Sequence, residues 1–292
     1  MEIELKFQVP AASRAALMQA VATPRVQRTR LRAEYADTPD RRLAAAGMVL
    51  RLRLEGSQWV QTLKGRGDGL LQRLEHEVPL PPQRGVPQLD LARHNGTPAG
   101  AAFQAALAGA GPLQPLYRTD IQRLHRRLRH AGATIEIAYD RGRILARGKA
   151  VRVDEIEFEL VHGPAAALLT LAARWAARFG LWWDVRTKSE RGQRLALGLA
   201  RVPPVRHTLP VVPARGPARR AALAACLAQA MPNAAELASG QGSEDHRQSL
   251  QEALRQMDPQ AAELPPTGPA LGRHLRAGPF NRAMLQLLAQ TL

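Results

Sequence analysis

Charged and apolar residues alternate along several short segments, and this alternation constrains the fold more strongly than any other feature of the sequence. The segments are residues 1–7, 49–54, 59–64, 73–77, 134–140 and 155–160. In the first of them, Glu2, Glu4 and Lys6 would fall on one face of a strand. In a helix, residues two apart diverge by about 200°, so these side chains would share no face. A strand places them about 6.6 Å apart on one side, and we therefore predict strands.

The charges on these strands are sorted by sign. Arg51 and Arg53 share one strand face, whereas Glu155, Glu157 and Glu159 share another. A half-exposed sheet also alternates apolar and polar residues, but its polar side usually mixes uncharged groups with charged ones. Helices rich in Ala and Leu are available to cover the apolar faces. The charged faces are therefore expected to line a closed or nearly closed sheet, and a barrel of about eight strands has room for one small ligand.

A lumen with acidic and basic walls needs ligands of both signs, because unpaired buried charge is costly. Divalent cations satisfy carboxylates, and a polyanion satisfies arginine and lysine. The whole chain also points to an anionic partner, since 41 Lys and Arg against 25 Asp and Glu give a formal charge of +16. The lysines are Lys6, Lys64, Lys149 and Lys188. Because all the other basic residues are arginines, a position that carries lysine suggests a need for a compact point charge.

A proline-rich stretch divides the chain. Residues 201–217 contain five prolines, which continue neither a helix nor a central strand, so we expect a linker. The predicted organisation is a first domain over 1–201, a linker over 202–217 and a helical segment over 218–292. Helices are expected at 11–22, 99–109, 164–179, 189–199, 218–231, 244–257 and 281–291.

Cysteine, histidine and apolar runs exclude several classes of protein. The one cysteine, Cys226, excludes an internal disulfide framework and a Cys-based zinc site. The eight histidines are scattered and are interpreted as surface residues, His125 and His130 among them. No apolar run approaches the roughly 18 residues that span a bilayer, and the first six residues are no signal peptide. We expect a soluble cytoplasmic protein without a membrane partner.

Short charged motifs follow one another through residues 1–200. They are Glu2-x-Glu4-x-Lys6, Tyr35-x-Asp37-Thr38-Pro39, Leu50-Arg51-x-Arg53, Thr62-x-Lys64, Arg73-x-Glu75-x-Glu77, Glu136-x-Ala138-x-Asp140-x-Gly142, the acidic strand 155–160 and Lys188-x-x-Arg191-Gly192. In this order they resemble the motifs of CYTH domains, the triphosphate tunnel metalloenzymes. Thr187 stands where Ser is commoner in the last motif. Three of the four lysines fall inside these motifs, and Lys149, which does not, is interpreted as a surface residue.

The resemblance implies an α+β fold, with an eight-stranded antiparallel tunnel, helices packed outside and a small C-terminal all-α segment. The tunnel would bind a triphosphate together with Mg²⁺ or Mn²⁺. The metal ligands it implies are Glu2, Glu4, Asp140, Glu157 and Glu159. The groups it implies for phosphate are Arg51, Arg53, Lys64 and an arginine of the 118–127 strand, either Arg123 or Arg118. Lys6 and Lys188 would lie near the terminal phosphate and act with Glu4 in catalysis. Glu75 and Glu77, with Glu136 in addition, would hold the cations in place.

The residue types fit hydrolysis of a phosphoanhydride, which needs charge neutralisation and an in-line water. We predict direct attack by metal-activated water on inorganic triphosphate, with a lysine or a carboxylate accepting the proton. Alternatives on the same fold are a thiamine triphosphatase, a class IV adenylate cyclase and a non-catalytic binder of polyphosphate or a phosphorylated ligand. Aromatic residues make up only 4% of the chain, and we interpret Trp59 and the Trp182–Trp183 pair as packing. The tunnel carboxylates argue against a nucleic-acid partner.

The C-terminal segment resembles the opening of a CHAD domain, a helical domain linked to polyphosphate. Its helix departs from the family's His-Gln-x-Arg pattern, because Arg247 precedes Gln248 and His246 lies one position off. Only about 75 residues remain, so we expect a truncated, degenerate CHAD-like remnant rather than a working polyphosphate site. The segment also offers a packing or dimer surface, which leaves a homodimer open.

Overall fold

The computed structural model describes the backbone of residues 2–66, 72–258 and 260–292, and the side chains in these ranges except those of residues 2, 66, 72, 73 and 261. The described strands are β1 (Glu2–Gln8), β2 (Gln27–Asp37), β3 (Val49–Glu55), β4 (Gln58–Arg66), β5 (Gln72–Pro79), β6 (Gln114–His130), β7 (Ala133–Ala146), β8 (Lys149–His162) and β9 (Trp182–Trp183). The described helices are α1 (Arg14–Val21), α2 (Arg42–Ala45), α3 (Pro98–Leu107), α4 (Ala165–Phe179), α5 (Lys188–Leu197), α6 (Pro217–Ala238), α7 (Glu244–Met257), α8 (Pro269–Arg276) and α9 (Gly278–Ala289). Short 3-10 helices lie at Ala11–Ser13, Leu91–His94 and Gln260–Ala262.

The strands form one antiparallel sheet that curls until its first strand meets the fifth. Their order is β5-β4-β3-β2-β6-β7-β8-β1-β9, and β1 also pairs with β5 at Glu2 and Ile3. The predicted α+β fold with an antiparallel barrel is thus confirmed. The strand count differs from the predicted eight, because Trp182 and Trp183 pair with the part of the β1 edge that β5 does not cover.

Apolar side chains on the outer face of the barrel pack against helices. Phe7 of β1 and Phe158 of β8 are buried in one cluster with Leu168 of α4. Helix α4 follows Pro164 and ends at Gly180, whose φ of 61° lies in the left-handed region that favours glycine. The outward apolar faces are therefore covered, and the charged faces are left to the lumen.

One end of the lumen is filled by apolar side chains and by α5. Leu31 and Ile121 lie on the inner faces of β2 and β6 and are clustered with Ala196 of α5. The helix approaches closely at Gly192, where an added Cβ would come 2.3 Å from the ring of Tyr117. The glycine of the Lys188-x-x-Arg191-Gly192 motif thus lets α5 enter the barrel.

The C-terminal helices share the core on the outer side of the barrel. Leu227 of α6 and Leu285 of α9 belong to the same buried cluster as Phe7. The proline-rich stretch before α6 has no helix or strand between 202 and 213, and the His207 N–H donates to Gln229 Oε1 at 2.7 Å. Because the core is continuous, the division into two domains with a linker stays a prediction.

Two C-terminal elements differ from the predicted helices. Helix α6 continues through Pro232 to Ala238 instead of ending at 231, and α8 was not predicted. Met231 and Ala235 on either side of the proline are buried, so packing outweighs the helix-breaking tendency of proline. None of the helices in the described ranges is both long and apolar enough to cross a membrane.

Candidate active site

The lumen of the barrel is a charged cavity of about 470 Å³, a volume typical of small-molecule sites. The charged and histidine side chains that line it are Glu4, Lys6, Arg51, Arg53, Glu55, Lys64, Glu75, Glu77, Arg123, His125, Arg127, Glu136, Asp140, Glu157, Glu159 and Lys188. The expectation that the charged strand faces point inward is therefore confirmed for these side chains, whereas Glu155 on the same face as Glu157 is fully buried and does not line the cavity. The side chain of Glu2 lies outside the described residues.

Three carboxylates converge at the apolar end of the cavity. Asp140 of β7 lies opposite Glu155 of β8 in the strand register, and Glu157 follows two residues later on the same face. Each offers an oxygen, and these oxygens lie within 4.8 Å of one another. Lys188, the first residue of α5, places its Nζ 2.7 Å from Asp140, 2.5 Å from Glu155 and 2.7 Å from Glu157.

Arg123 closes the other side of this carboxylate cluster. Its Nε donates to Asp140 Oδ1 at 2.7 Å, and its Nη2 donates to Asp140 Oδ2 at 2.7 Å and to Glu157 Oε2 at 2.5 Å. The structure thus distinguishes between Arg118 and Arg123, the two β6 candidates for phosphate binding. Arg118 does not reach the lumen: its side chain is 68% exposed and pairs with Glu34 at 2.9 Å. Residues 118 and 123 are an odd number apart, so an alternating strand sends them to opposite faces.

Burial and charge oppose each other in the carboxylate cluster, and charge prevails. Burial would raise the pKa of Glu157, but Lys188 and Arg123 hold it well below its usual range. The pKa of Asp140 is lowered in the same way by Arg123 and Lys188. Burial would lower the pKa of Lys188, yet the three carboxylates raise it. Carboxylate oxygens that converge in this way, here paired with Lys188 and Arg123, are donors that suit a divalent cation.

The predicted metal ligands are only partly gathered at this point. Asp140 and Glu157 belong to the cluster, while Glu4 and Glu159 line the cavity elsewhere and face each other across the β1–β8 pairing. Glu155 was not predicted as a metal ligand, although it shares a strand face with Glu157. The missing information was the β7–β8 register, which brings Glu155 next to Asp140.

A second group of cations lines strands β3 and β4. Arg51 Nη2 and Arg53 Nη2 donate to Glu77 Oε1 at 3.1 and 3.2 Å, and Lys64 Nζ lies 2.8 Å from Glu75 Oε2. Burial opposes the charge of Glu77, but the two arginines lower its pKa to about 2. The structure thus brings Glu75 and Glu77 to the cations that they were predicted to hold. Arg51 Nε is buried and has no hydrogen-bond partner among the described residues, which leaves a donor for a ligand.

Lys6 reaches the same end of the cavity as Lys188. It is 6% exposed, and its Nζ donates to the carbonyl oxygen of Arg186. Burial lowers the pKa of Lys6, and the nearby Arg191 and Lys188 lower it further. The adjoining N-terminus of α5 is fixed by a capping box, in which Thr187 accepts from the Glu190 N–H and Glu190 accepts from the Thr187 N–H.

Other side chains are placed differently from the expectations. His125 lines the cavity, with its Nδ1 3.2 Å from Glu136 Oε1, and His94 and His246 are buried, so the interpretation of the histidines as surface residues is wrong for these three. β6 alternation assigns His125 to the face of Arg123, and this signal was available. Tyr35 and Arg127 also line the cavity without having been predicted.

The structure agrees with the expectations for three tryptophans and for Lys149. Trp182 and Trp183 are buried in the core, and Trp59 lies by a groove on the outer side of the barrel. Lys149 is exposed. None of these four residues contributes to the lining of the described cavity.

Comparison with known proteins agrees with this architecture. The CYTH domain family matches residues 1–181, more than half of the chain, and the chain therefore belongs to the CYTH domain family. It is 29% identical over 168 residues to an inorganic triphosphatase of Haemophilus influenzae. That match covers 55% of this chain and 44% of the relative, so it spans less than half of the relative's length.

Two solved structures are similar in part. One is a candidate adenylyl cyclase from Hippeastrum with a dominant triphosphatase activity, at 17% identity and a TM-score of 0.48, covering 66% of this chain and 95% of that one. The other is a candidate adenylate cyclase from Bacillus halodurans, at 18% identity and a TM-score of 0.41, covering 61% of this chain and 89% of that one. Family membership rests on the domain match, and these structural likenesses add nothing to it.

Proposed function

We propose that the protein is a metal-dependent inorganic triphosphatase, which hydrolyses tripolyphosphate to diphosphate and phosphate. The observation that carries the proposal is the lumen itself, where a cluster of ionised carboxylates and a set of arginines and lysines share one cavity of about 470 Å³. The similarity to the Haemophilus influenzae inorganic triphosphatase supports the same activity.

The basic side chains bind the phosphate chain. Arg51, Arg53, Lys64 and Arg123 bind phosphoryl oxygens by exchanging their present carboxylate partners for ligand oxygens. Charge-assisted bonds of this kind are the strong ones, and the planar arginines suit bidentate contacts. Lys6 lies at the end where α5 enters, so it and Lys188 act on the terminal phosphate.

The carboxylates hold the divalent cation. Asp140, Glu155 and Glu157 form its site, and the family resemblance adds Glu2, Glu4 and Glu159 as further ligands. When bound, Mg²⁺ or Mn²⁺ supplies a Lewis acid and lowers the pKa of water. The barrel wall excludes bulk solvent. This exclusion strengthens the electrostatic interaction between the fixed charges and the phosphoryl group that is being transferred. Water attacks directly, without a phosphoenzyme.

The lining of the cavity favours an inorganic substrate over a nucleotide or a thiamine ester. Tyr35 is the one Phe, Tyr or Trp side chain among the described lining residues. It is already stacked on Tyr117, with ring centroids 4.5 Å apart and an interplanar angle of 17°. The described wall therefore offers no free Phe, Tyr or Trp ring on which a base could stack.

Phosphate release tests the proposal. Inorganic triphosphate, ATP and thiamine triphosphate would each be supplied with Mg²⁺, with Mn²⁺ and with EDTA. We expect fast, EDTA-sensitive turnover of inorganic triphosphate alone. Cyclic AMP from ATP, or a preference for the thiamine ester, would transfer the proposal to another reaction on the same fold. Binding without turnover under either metal would leave a non-catalytic binder of polyphosphate.

Several expectations stay predictions beside this proposal. They are the cytoplasmic location, the homodimer, the absence of a nucleic-acid partner and the CHAD-like origin of residues 218–292.

A further inference from the structure

The short segment 182–187, which begins with β9 and leads into α5, contacts both lysines of the candidate active site. The Asp184 N–H donates to the Lys6 carbonyl oxygen at 3.1 Å, and the Arg186 carbonyl oxygen accepts from Lys6 Nζ. Lys188 follows directly as the first residue of α5. The position of this segment therefore determines where both ammonium groups lie.

The C-terminal helices hold the same segment from its other side. The Trp183 N–H donates to Asn281 Oδ1 of α9 at 2.7 Å. Arg186 Nη1 donates to Ser239 Oγ at 2.8 Å and to Glu236 Oε1 of α6 at 3.4 Å. None of these C-terminal residues lines the described cavity.

Glu236 contacts two arginines that flank Lys188 in the sequence. Its Oε1 accepts from Arg186, and its Oε2 accepts from Arg194 Nη1 at 2.6 Å. The Glu236 side chain is 8% exposed, and the side chains of Arg186 and Arg194 are 11% and 10% exposed. One buried carboxylate thus ties Arg186, two residues before α5, to Arg194 in the last turn of α5.

Arg186 connects Glu236 to the lumen. Its backbone N–H and Nε donate to Asp184 Oδ1 at 3.0 and 2.9 Å, and its Nη2 donates to Asp184 Oδ2 at 2.8 Å. The guanidinium is therefore fixed between a carboxylate of its own segment and a carboxylate of α6, while its carbonyl oxygen faces Lys6.

We propose that Glu236 is a positioning residue for the tunnel chemistry, and that the C-terminal helices serve to hold the segment 182–187 and α5 in the reactive arrangement. The kinetic part of this inference rests on the proposed function. Removal of the carboxylate leaves two buried arginines without their shared partner, so the segment must rearrange. A displacement of about 1 Å at reacting groups costs on the order of 100-fold in rate.

The test compares Glu236→Gln with Glu252→Gln. Glu252 also lies on a C-terminal helix, but its side chain is 50% exposed and pairs loosely with Arg206 at 3.7 Å. For Glu236→Gln we expect kcat to fall about 10- to 100-fold while KM stays within about threefold, because Arg51 and Arg53 on β3 still grip the phosphates. The Glu236→Asp variant should recover part of kcat, and Glu252→Gln should match the wild type.

Hydrogen exchange of the folded, full-length variants gives a second readout that needs no turnover. Amides of residues 184–191 should exchange at least about 10-fold faster in Glu236→Gln than in Glu252→Gln. If the wild type fails to hydrolyse triphosphate, the proposed function fails, and the exchange result still decides the positioning role. If Glu236→Gln does not fold, Ser239→Ala removes one neutral bond to Arg186 and should give smaller changes in the same amides. Unchanged kcat together with unchanged exchange over 184–191 overturns the inference.

Discussion

Lys188 and the three carboxylates around it form a network of opposite charges. Each carboxylate contacts at least one cation besides Lys188. Arg123 donates to Asp140 and Glu157, and Arg191 donates to Glu155. A divalent cation that enters must share or replace the Lys188 contacts. The residues that compete with the cation for these oxygens are therefore as important as the ligands themselves.

Glu155 is the residue whose role was not expected, and its substitution tests the carboxylate cluster. Glu155→Gln should lower Mn²⁺ affinity by about 10- to 100-fold, because one of three charged donors is lost, and triphosphate turnover should fall with it. Calorimetric titration with Mn²⁺ measures the first effect. Glu34→Gln is the control, since Glu34 pairs with Arg118 on the outer face. Equal Mn²⁺ affinity in the two variants would remove Glu155 from the site.

At the scale of elements, α5 is placed by one close approach. Gly192→Ala would push a methyl group against the Tyr117 ring, and we expect a loss of about 1–3 kcal/mol in the free energy of unfolding. Turnover should fall as well, because Lys188 begins the same helix. Chemical denaturation measures the stability. Gly278→Ala is the control, since nothing lies within 4 Å of an added Cβ there; similar losses in both variants would contradict the packing argument.

A second element-scale prediction concerns the 3-10 helix Leu91–His94, which docks on strands β4 and β5. Burial, together with the neighbouring His76, lowers the pKa of His94 to about 4. Between pH 6.5 and 4 the unfolded chain binds a proton at His94 while the native chain does not. The stability contributed by neutral His94 is therefore fully present above pH 6.5 and is lost as the pH falls towards 4.

Thermal melts at pH 7 and pH 4.5 check this prediction. The wild type should lose more Tm between these two pH values than His94→Asn does. His207→Asn is the matched control, because His207 is exposed, and it should lose as much Tm as the wild type. An identical drop in all three proteins would show that His94 does not contribute to the pH dependence.

Strand faces could be predicted from the sequence, whereas the contacts between strands also required the turns and the pairings that join them. The alternation of Glu4 and Lys6 with Leu5 and Phe7 is a local property, and it correctly separated lumen from core. The register between β7 and β8 is set by the two-residue turn at Arg147 and Gly148, both of which have a positive φ. The proximity of Glu155 to Asp140 therefore depended on recognising that turn in the sequence. The two β6 candidates could have been separated by parity, since Arg123 shares its face with the buried Ile121.

At the scale of the whole molecule, the continuous core explains where the C-terminal helices differ from those predicted from the sequence. The sequence indicated where a linker and helices begin, but not that Asn281 and Glu236 reach back to the segment before α5. Nor did it indicate that α6 would pass through Pro232. Such features depend on packing between parts of the chain about 50 to 100 residues apart, and no local pattern encodes them.

The pairing of β1 with β8 has a consequence for folding during synthesis of the protein. Glu4 is paired with Glu159, so the first strand leaves the ribosome long before its partner exists. At synthesis rates of roughly 5–20 residues per second, this wait lasts about 8 to 30 s. Glu4 and Lys6 therefore spend that time outside any tunnel, and a nascent chain shorter than β8 has no enclosed site. The charged lumen can therefore close only after β8 has followed β1 out of the ribosome.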